Sequence, residues 1–177
     1  EADDLIATYK IQAKKEKIKF TIVSSDKDLM QLVDQDTYML DTMKDKHIGV
    51  DEVKEKFGVP PEKVIDVQSL AGDSVDNVPG VPGIGIKTAA ELINQFGSLD
   101  ELLKKAETIK QPKRRQALLD NKSNALISRE LVTLKNDVPV KETINDFILK
   151  PFDKEKIFSF LYVMVFTKIT KRIETAY

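Results

Sequence analysis

The chain has 177 residues, 41% hydrophobic and 32% charged, enough for one sizeable core, or a main body with a smaller lobe, without covalent staples. With no cysteine it has no disulfide framework, zinc-thiolate site or thiol nucleophile. No apolar run approaches the ~18 residues of a bilayer span and the opening EADDLIATYK lacks the basic and apolar regions of a leader, so the expectation is a cytoplasmic protein with no membrane partner. The 28 Lys and Arg nearly balance 29 Asp and Glu, but the charges are segregated. Lys104, Lys105, Lys110, Lys113, Arg114 and Arg115 fall within twelve residues, whereas the acids gather at the chain start, around Asp26 and around Asp73. An acidic site beside a basic surface suits metal-dependent work on a polyanion, and a solvated helix face is the plainer reading of the basic run.

In chain order, Leu5, Ile6, Tyr9 and Ala13 recur at helical spacing and predict an initial helix with a heavily acidic first turn of Glu1, Asp3 and Asp4. Carboxylates there also compensate the helix dipole. KFTIV reads as a short buried strand and DLMQLV as a helical stretch, together an α/β unit with a parallel sheet. Asp26 and Asp28 lie just past the strand's carboxyl end, where ligands bind in such sheets. An N-capping Asp26 is the local alternative. TYMLDTMKDKHIGV predicts a second strand and hairpin containing His47, the sole histidine, for which no nucleophile partner is present. DEVKEKFG and PPEKVIDVQSLAG are short helices, the second with a buried stripe of Val64, Val67 and Ala71.

The stretch GDSVDNVPGVPGIGIKTAAELINQF, residues 72–96, follows. Asp73 and Asp76 share a face if the helix continues through them, since three residues advance about 300°. Five of the seven residues of PGVPGIG are Gly or Pro, and Gly83 and Gly85 precede a helix whose N-terminus attracts anions. That helix carries Ala89, Leu92, Ile93 and Phe96 on one face and stops at Gly97. Ser98 and Glu101 form a capping-box pattern for the next helix. QPKRRQALLDN and SNALISRELVTLKND are further helices, the latter with Ile127, Leu131 and Leu134 aligned. DVPVKETINDFILKPFD reads as a linker with strand-like pieces, and a last helix carries Ile157, Leu161, Tyr162 and Val165.

Each acid has a local explanation. Together, Glu1, Asp3, Asp4, Asp26, Asp28, Asp73 and Asp76 occupy places that a fold can bring into one pocket, where they would repel unless cations balance them. Oxygen-only ligation points to Mg2+ or Mn2+, and two such ions suit phosphodiester hydrolysis. The reading from residues is metal-dependent hydrolysis of nucleic acid, with a non-catalytic duplex-DNA-binding module as the alternative.

EADD, SSDKD, GDSVDNVPGVPGIGIKTAAELI, FGSLDELL and ALISRELVTLKNDVP, in that order over nearly the whole chain, resemble the 5′ nuclease domains of bacterial DNA polymerase I and its relatives, the flap endonucleases. The resemblance implies an α/β, helix-rich fold: part of the parallel sheet of a PIN-like 5′ nuclease plus a helical helix-three-turn-helix lobe that binds DNA. Residues 1–50 would be the C-terminal part of the nuclease core with its metal carboxylates. Residues 51–177 would be the DNA-binding region, with the helix-three-turn-helix over 66–97. It implies Glu1, Asp3 and Asp4 at one metal and Asp26, Asp28, Asp73 and Asp76 at the second, the last four being catalytic. Gly83, Gly85 and Lys87 would grip duplex or flap DNA with a bridging monovalent cation, usually potassium. The family's first strand, its metal-binding Asp and its helical arch are expected upstream. The chain therefore reads as the C-terminal portion of the domain, with an incomplete two-metal site, lacking an N-terminal nuclease segment and a polymerase domain. The family's common glycine-phenylalanine pattern is broken at Val165.

Overall fold

The computed structural model describes residues 1–176, which divide into two compact units, residues 1–140 and residues 141 onward. Unit one begins with α1 (Ala2–Lys15), β1 (Phe20–Val23) and a 3-10 turn (Asp28–Leu32), followed by β2 (Thr37–Asp41) and β3 (Lys46–Ile48). The expected helix at DLMQLV is thus a tighter 3-10 turn. β1 and β2 are parallel, Ile22 opposite Met39, and β2 and β3 form an antiparallel hairpin, Met39 opposite Ile48. Among the described residues the sheet is therefore small and mixed, with β2 central. Thr37, Met39 and Asp41 face the core, leaving Tyr38 and Leu40 half-buried on the other face. His47 packs its ring on Tyr38, centroids 5.2 Å apart.

Helices then dominate: α2 (Val50–Phe57), α3 (Val64–Ala71), α4 (Ile86–Phe96), α5 (Leu99–Lys104), α6 (Pro112–Asp120) and α7 (Lys122–Val132). One apolar cluster runs from Ile22 and Met39 in the sheet through Val53, Phe57, Val67 and Leu70 to Ile93, Leu102 and Leu118. Burying each such side chain contributes about 1.5–3 kcal/mol before the cost of ordering the chain. α3 is the centre of this unit, packed on both α4 and α7. α7 turns Ala125, Ser128 and Val132 inward, while Ile127 and Leu131, expected on its buried stripe, are exposed. The Ser128 hydroxyl explains that phase: it accepts the buried backbone N–H of Gly80 at 2.9 Å.

Unit two holds a 3-10 turn (Ile144–Phe147), α8 (Lys154–Val163) and α9 (Thr167–Ala176). The linker contains no strand among the described residues. The single last helix is instead two, because Val165 takes φ 56° and reverses the chain there. No helix among the described residues is long and apolar enough to cross a membrane.

Candidate metal centre and nucleic-acid interface

α3 ends where Gly72 adopts φ 70°, so Asp73 and Asp76 do not share a helical face. They sit in a closed loop in which Asp73 and Val78 exchange backbone hydrogen bonds of 2.9 and 2.7 Å. Gly80 packs against the neck of this loop, where a Cβ would stand 2.5 Å from the Gly72 nitrogen. Both glycines are therefore fixed by close backbone approach.

Glu1 and Asp3 from the start of α1, Asp26 and Asp28 past the end of β1, and Asp76 from the closed loop line one cleft of ≈ 350 Å³, with Leu131, Val132 and Leu134 as an apolar wall. The other two predicted acids point elsewhere. Asp4 accepts the backbone N–H of Lys135 at 2.8 Å. Asp73 binds the ammonium of Lys27 and accepts the Val75 N–H at 2.8 Å. Asp26 does not cap the following turn, whose N-cap position is Lys27 without a side-chain cap bond; its Oδ1 instead accepts the Asp28 N–H at 3.0 Å in the turn after β1.

The cleft is held by partners that sequence reasoning missed. Gln31 donates to the Asp28 and Val132 carbonyls, both at 2.9 Å, fastening the Asp28 turn to α7. Gln68, buried on α3, donates its amide to the Asp28 carboxylate, and its own Oε1 is buried with no hydrogen-bond partner. A polar residue within an apolar helical stripe was the one available signal. Lys27 gave none beyond standing between two acids.

Burial, then Asp26, Glu1, Asp28 and Asp4 in turn, push the Asp3 carboxyl up. Burial and Asp26 also raise Asp28, against the lowering effect of Gln68. Lys27 is raised, first by its hydrogen bond to Asp73 and further by the charges of Asp73, Asp28 and Asp76. The same bond holds Asp73 below the usual carboxylate range. A cation is thus already favoured at the meeting point of these acids. Among the described residues no three His, Asp or Glu side chains stand close enough together to form a ligand set as placed. The donors that line the cleft are nevertheless all carboxylate oxygens, the donor chemistry a hard divalent cation takes.

At the other end of the loop, Gly83 takes φ 80° and Gly85 an ordinary φ of −90° as the residue preceding α4. A Cβ at either would meet nothing within 4 Å. The first turn of α4 bears no acid, and Lys87 is exposed there. The basic run of residues 104–115 is largely satisfied within the protein. Lys104 and Lys105 both pair with Glu101 and Arg114 with Glu91, while Arg115 donates to the Ile109 carbonyl.

Residues 59–155 match the family described as 5′-3′ exonuclease, C-terminal SAM fold. The chain belongs to the 5′-3′ exonuclease family. Residues 1–58 match the N-terminal resolvase-like domain of the same exonucleases, which corrects the expectation of a C-terminal portion lacking an N-terminal nuclease segment. Both exonuclease subdomains are therefore represented in the chain. DNA polymerase I of Rhizobium leguminosarum is 54% identical over 176 residues, covering 99% of this chain and 17% of that protein. A 5′-3′ exonuclease of Buchnera aphidicola is 38% identical over 164 residues, covering 89% of this chain and 57% of that one. The chain thus spans about a fifth of the polymerases it matches, 17% and 20% for two of them. In fold, this exonuclease chain is similar to the bacteriophage T5 D15 protein co-crystallised with metal ions, with a TM-score of 0.69, 24% identity, and 76% of this chain and 51% of that one covered. The catalytic core of Rad2 in complex with DNA substrate gives a TM-score of 0.57 at 16% identity, covering 89% of this chain and 56% of that one. The helix-rich 5′ nuclease fold with a small mixed sheet is therefore the fold of this chain.

Proposed function

We propose that the chain acts as a metal-dependent 5′ nuclease on branched duplex or flap DNA, hydrolysing phosphodiesters near 5′ ends in replication and repair. The observation that carries this reading is the meeting of five carboxylates from three separate chain segments in one cleft, with the ammonium of Lys27 bound to a sixth, Asp73. T5 5′-exonuclease has been solved with divalent zinc bound, which supports a metal role for the acids here.

Glu1, Asp3, Asp26, Asp28 and Asp76 would hold Mg2+ or Mn2+, with Asp73 joining when Lys27 releases it and Asp4 bracing the wall of the cleft. Bound divalent ions supply neutralisation of the phosphodiester charge and activation of water. Asp26 and Asp28, held by the turn after β1, set the depth of the cleft, and Leu131 and Val132 exclude bulk water from one side. Residues 1–50 supply most of the carboxylates, while residues 51–177 provide the DNA-binding region with its helix-three-turn-helix over 66–97. In that element the amides around Gly83 and Gly85 meet a backbone phosphate, joined by Lys87 and a potassium ion. Nothing inside the protein requires glycine at 85, so its bare backbone is accounted for by close approach of an external group. The activity would be exercised in the cytoplasm, a reducing compartment that suits a chain without cysteine.

The test is incubation with a 5′-flap duplex and Mg2+ or Mn2+. Cleavage that is lost with chelator and in Asp26→Asn is expected. Binding of the duplex with no cleavage under either metal would leave only a DNA-binding module.

A further inference from the structure

Two pockets flank α2. One, of ≈ 420 Å³, opens between the β2–β3 hairpin and α2 and is walled by Ser25, Lys44, Lys46 and Lys56. The other, of ≈ 360 Å³, lies between α2 and α4 and includes Lys56 and Lys87. Lys56 lines both, and Ser25 is next in sequence to Asp26 of the acidic cleft. Cationic side chains thus run from the start of α4 to the edge of the carboxylates.

The first pocket also has acids, but two of them are committed internally. Asp41 accepts the Met43 and Lys44 N–H groups at 3.0 and 3.2 Å and lies 3.7 Å from the Lys44 ammonium. Glu52 accepts the Gly49 N–H at 2.8 Å. Glu55 remains on the rim shared by both pockets. Lys46 and Lys56 enter no ion pair among the described residues. Burial first, and then the ammonium groups of Lys27 and Lys44, depress the Lys56 pKa, with Asp26 and Asp28 acting the other way.

We propose that the pocket walled by Ser25, Lys44, Lys46 and Lys56 binds a backbone phosphate of the DNA strand between the glycine loop and the acidic cleft. The inference rests on the DNA-binding reading above. Lys46 and Lys56 supply the charge, and the Ser25 hydroxyl supplies a hydrogen bond beside Asp26. The pocket fixes how far along the strand the cleft falls from the loop.

The experiment measures affinity of the 177-residue chain for a flap duplex against salt concentration, in chelator so that no metal contributes. Each lost phosphate contact lowers the slope of log K against log salt by about 0.9. Lys46→Gln and Lys56→Gln are each expected to lose part of one contact, and the double variant about 0.9 units of slope, with Lys56→Arg retaining it. Lys54→Gln, on the same helix but paired with Asp51 at 3.9 Å, is expected to change it far less. Lys46 lies on an exposed strand, so its variant stays informative if Lys56→Gln is unstable. Equal slopes for Lys46→Gln and Lys54→Gln would overturn the pocket. Failure of the wild-type chain to bind the duplex would instead overturn the DNA-binding reading itself.

Discussion

The Lys27 ammonium binds the carboxylate of Asp73, a residue 46 positions away, and so couples the turn after β1 to the loop after α3. The Asp73 side chain is only 8% exposed, and a buried carboxylate stripped of its partner is costly. Lys27→Met is therefore expected to destabilise the fold by about 1–3 kcal/mol at neutral pH. Because Asp73 is held below the usual carboxylate range, its contribution is present above pH ~4 and fades as pH falls through the lowered value. Lys27, raised above the usual lysine value, contributes below pH ~10.4 and loses that contribution as pH rises past its raised value. Urea unfolding at pH 7 and pH 3 checks this: the gap between wild type and variant should narrow in acid.

Asp34 provides a second acid-sensitive contact. Burial opposes its ionisation, but the Lys10 ammonium at 2.7 Å and the Asp36 N–H at 3.0 Å prevail and bring its pKa down to about 2. The resulting stability is present above the unfolded value near 4 and is lost between there and about 2. Asp34→Asn is expected to cost about 1–2 kcal/mol at pH 7 and to flatten unfolding free energy against pH in that window.

Gly80 and Gly85 should respond in opposite ways to alanine. At Gly80, φ 60° and backbone atoms within 2.8 Å of the added Cβ predict a loss of at least ~2 kcal/mol. Gly85→Ala meets open space at an ordinary φ, so its melting temperature should move by only a few degrees while duplex affinity falls. Unaltered duplex binding by a folded Gly85→Ala protein would contradict the loop's role.

Val165 is a β-branched residue at φ 56° and is 73% exposed. Left-handed geometry costs a non-glycine residue about 1–2 kcal/mol, and little burial is lost on truncation here. Val165→Gly is expected to stabilise the α8–α9 hairpin by about 0.5–1 kcal/mol. Thermal unfolding monitored by circular dichroism checks the direction.

Much of this was readable from local pattern. The stripe of Ala89, Leu92 and Ile93 on α4 is buried as its spacing predicts, and Ser98 caps α5 by accepting the Glu101 N–H at 3.3 Å. The hairpin over residues 37–48 followed from alternation and a polar turn. What failed was phase and distance. On α7 two stripes are apolar enough to face inward, and the choice is made by Gly80, whose N–H needs Ser128. The placement of Asp73 depended on whether a helix passed through Gly72, which only its close contact with Gly80 decides. The roles of Asp4 and Lys27 depend on partners far along the chain, which no local window contains.

The clasp formed by Asp4 with the Lys135 N–H, and by the Thr8 hydroxyl with the Val138 N–H at 3.1 Å, joins residues about 130 positions apart. Contacts so distant close late, because the intervening loop must first be ordered. During synthesis, α1 can be fastened only once residues 135–138 have left the ribosome. The acidic cleft, whose wall includes Leu134, is therefore completed only after the helices from α2 to α7 have emerged.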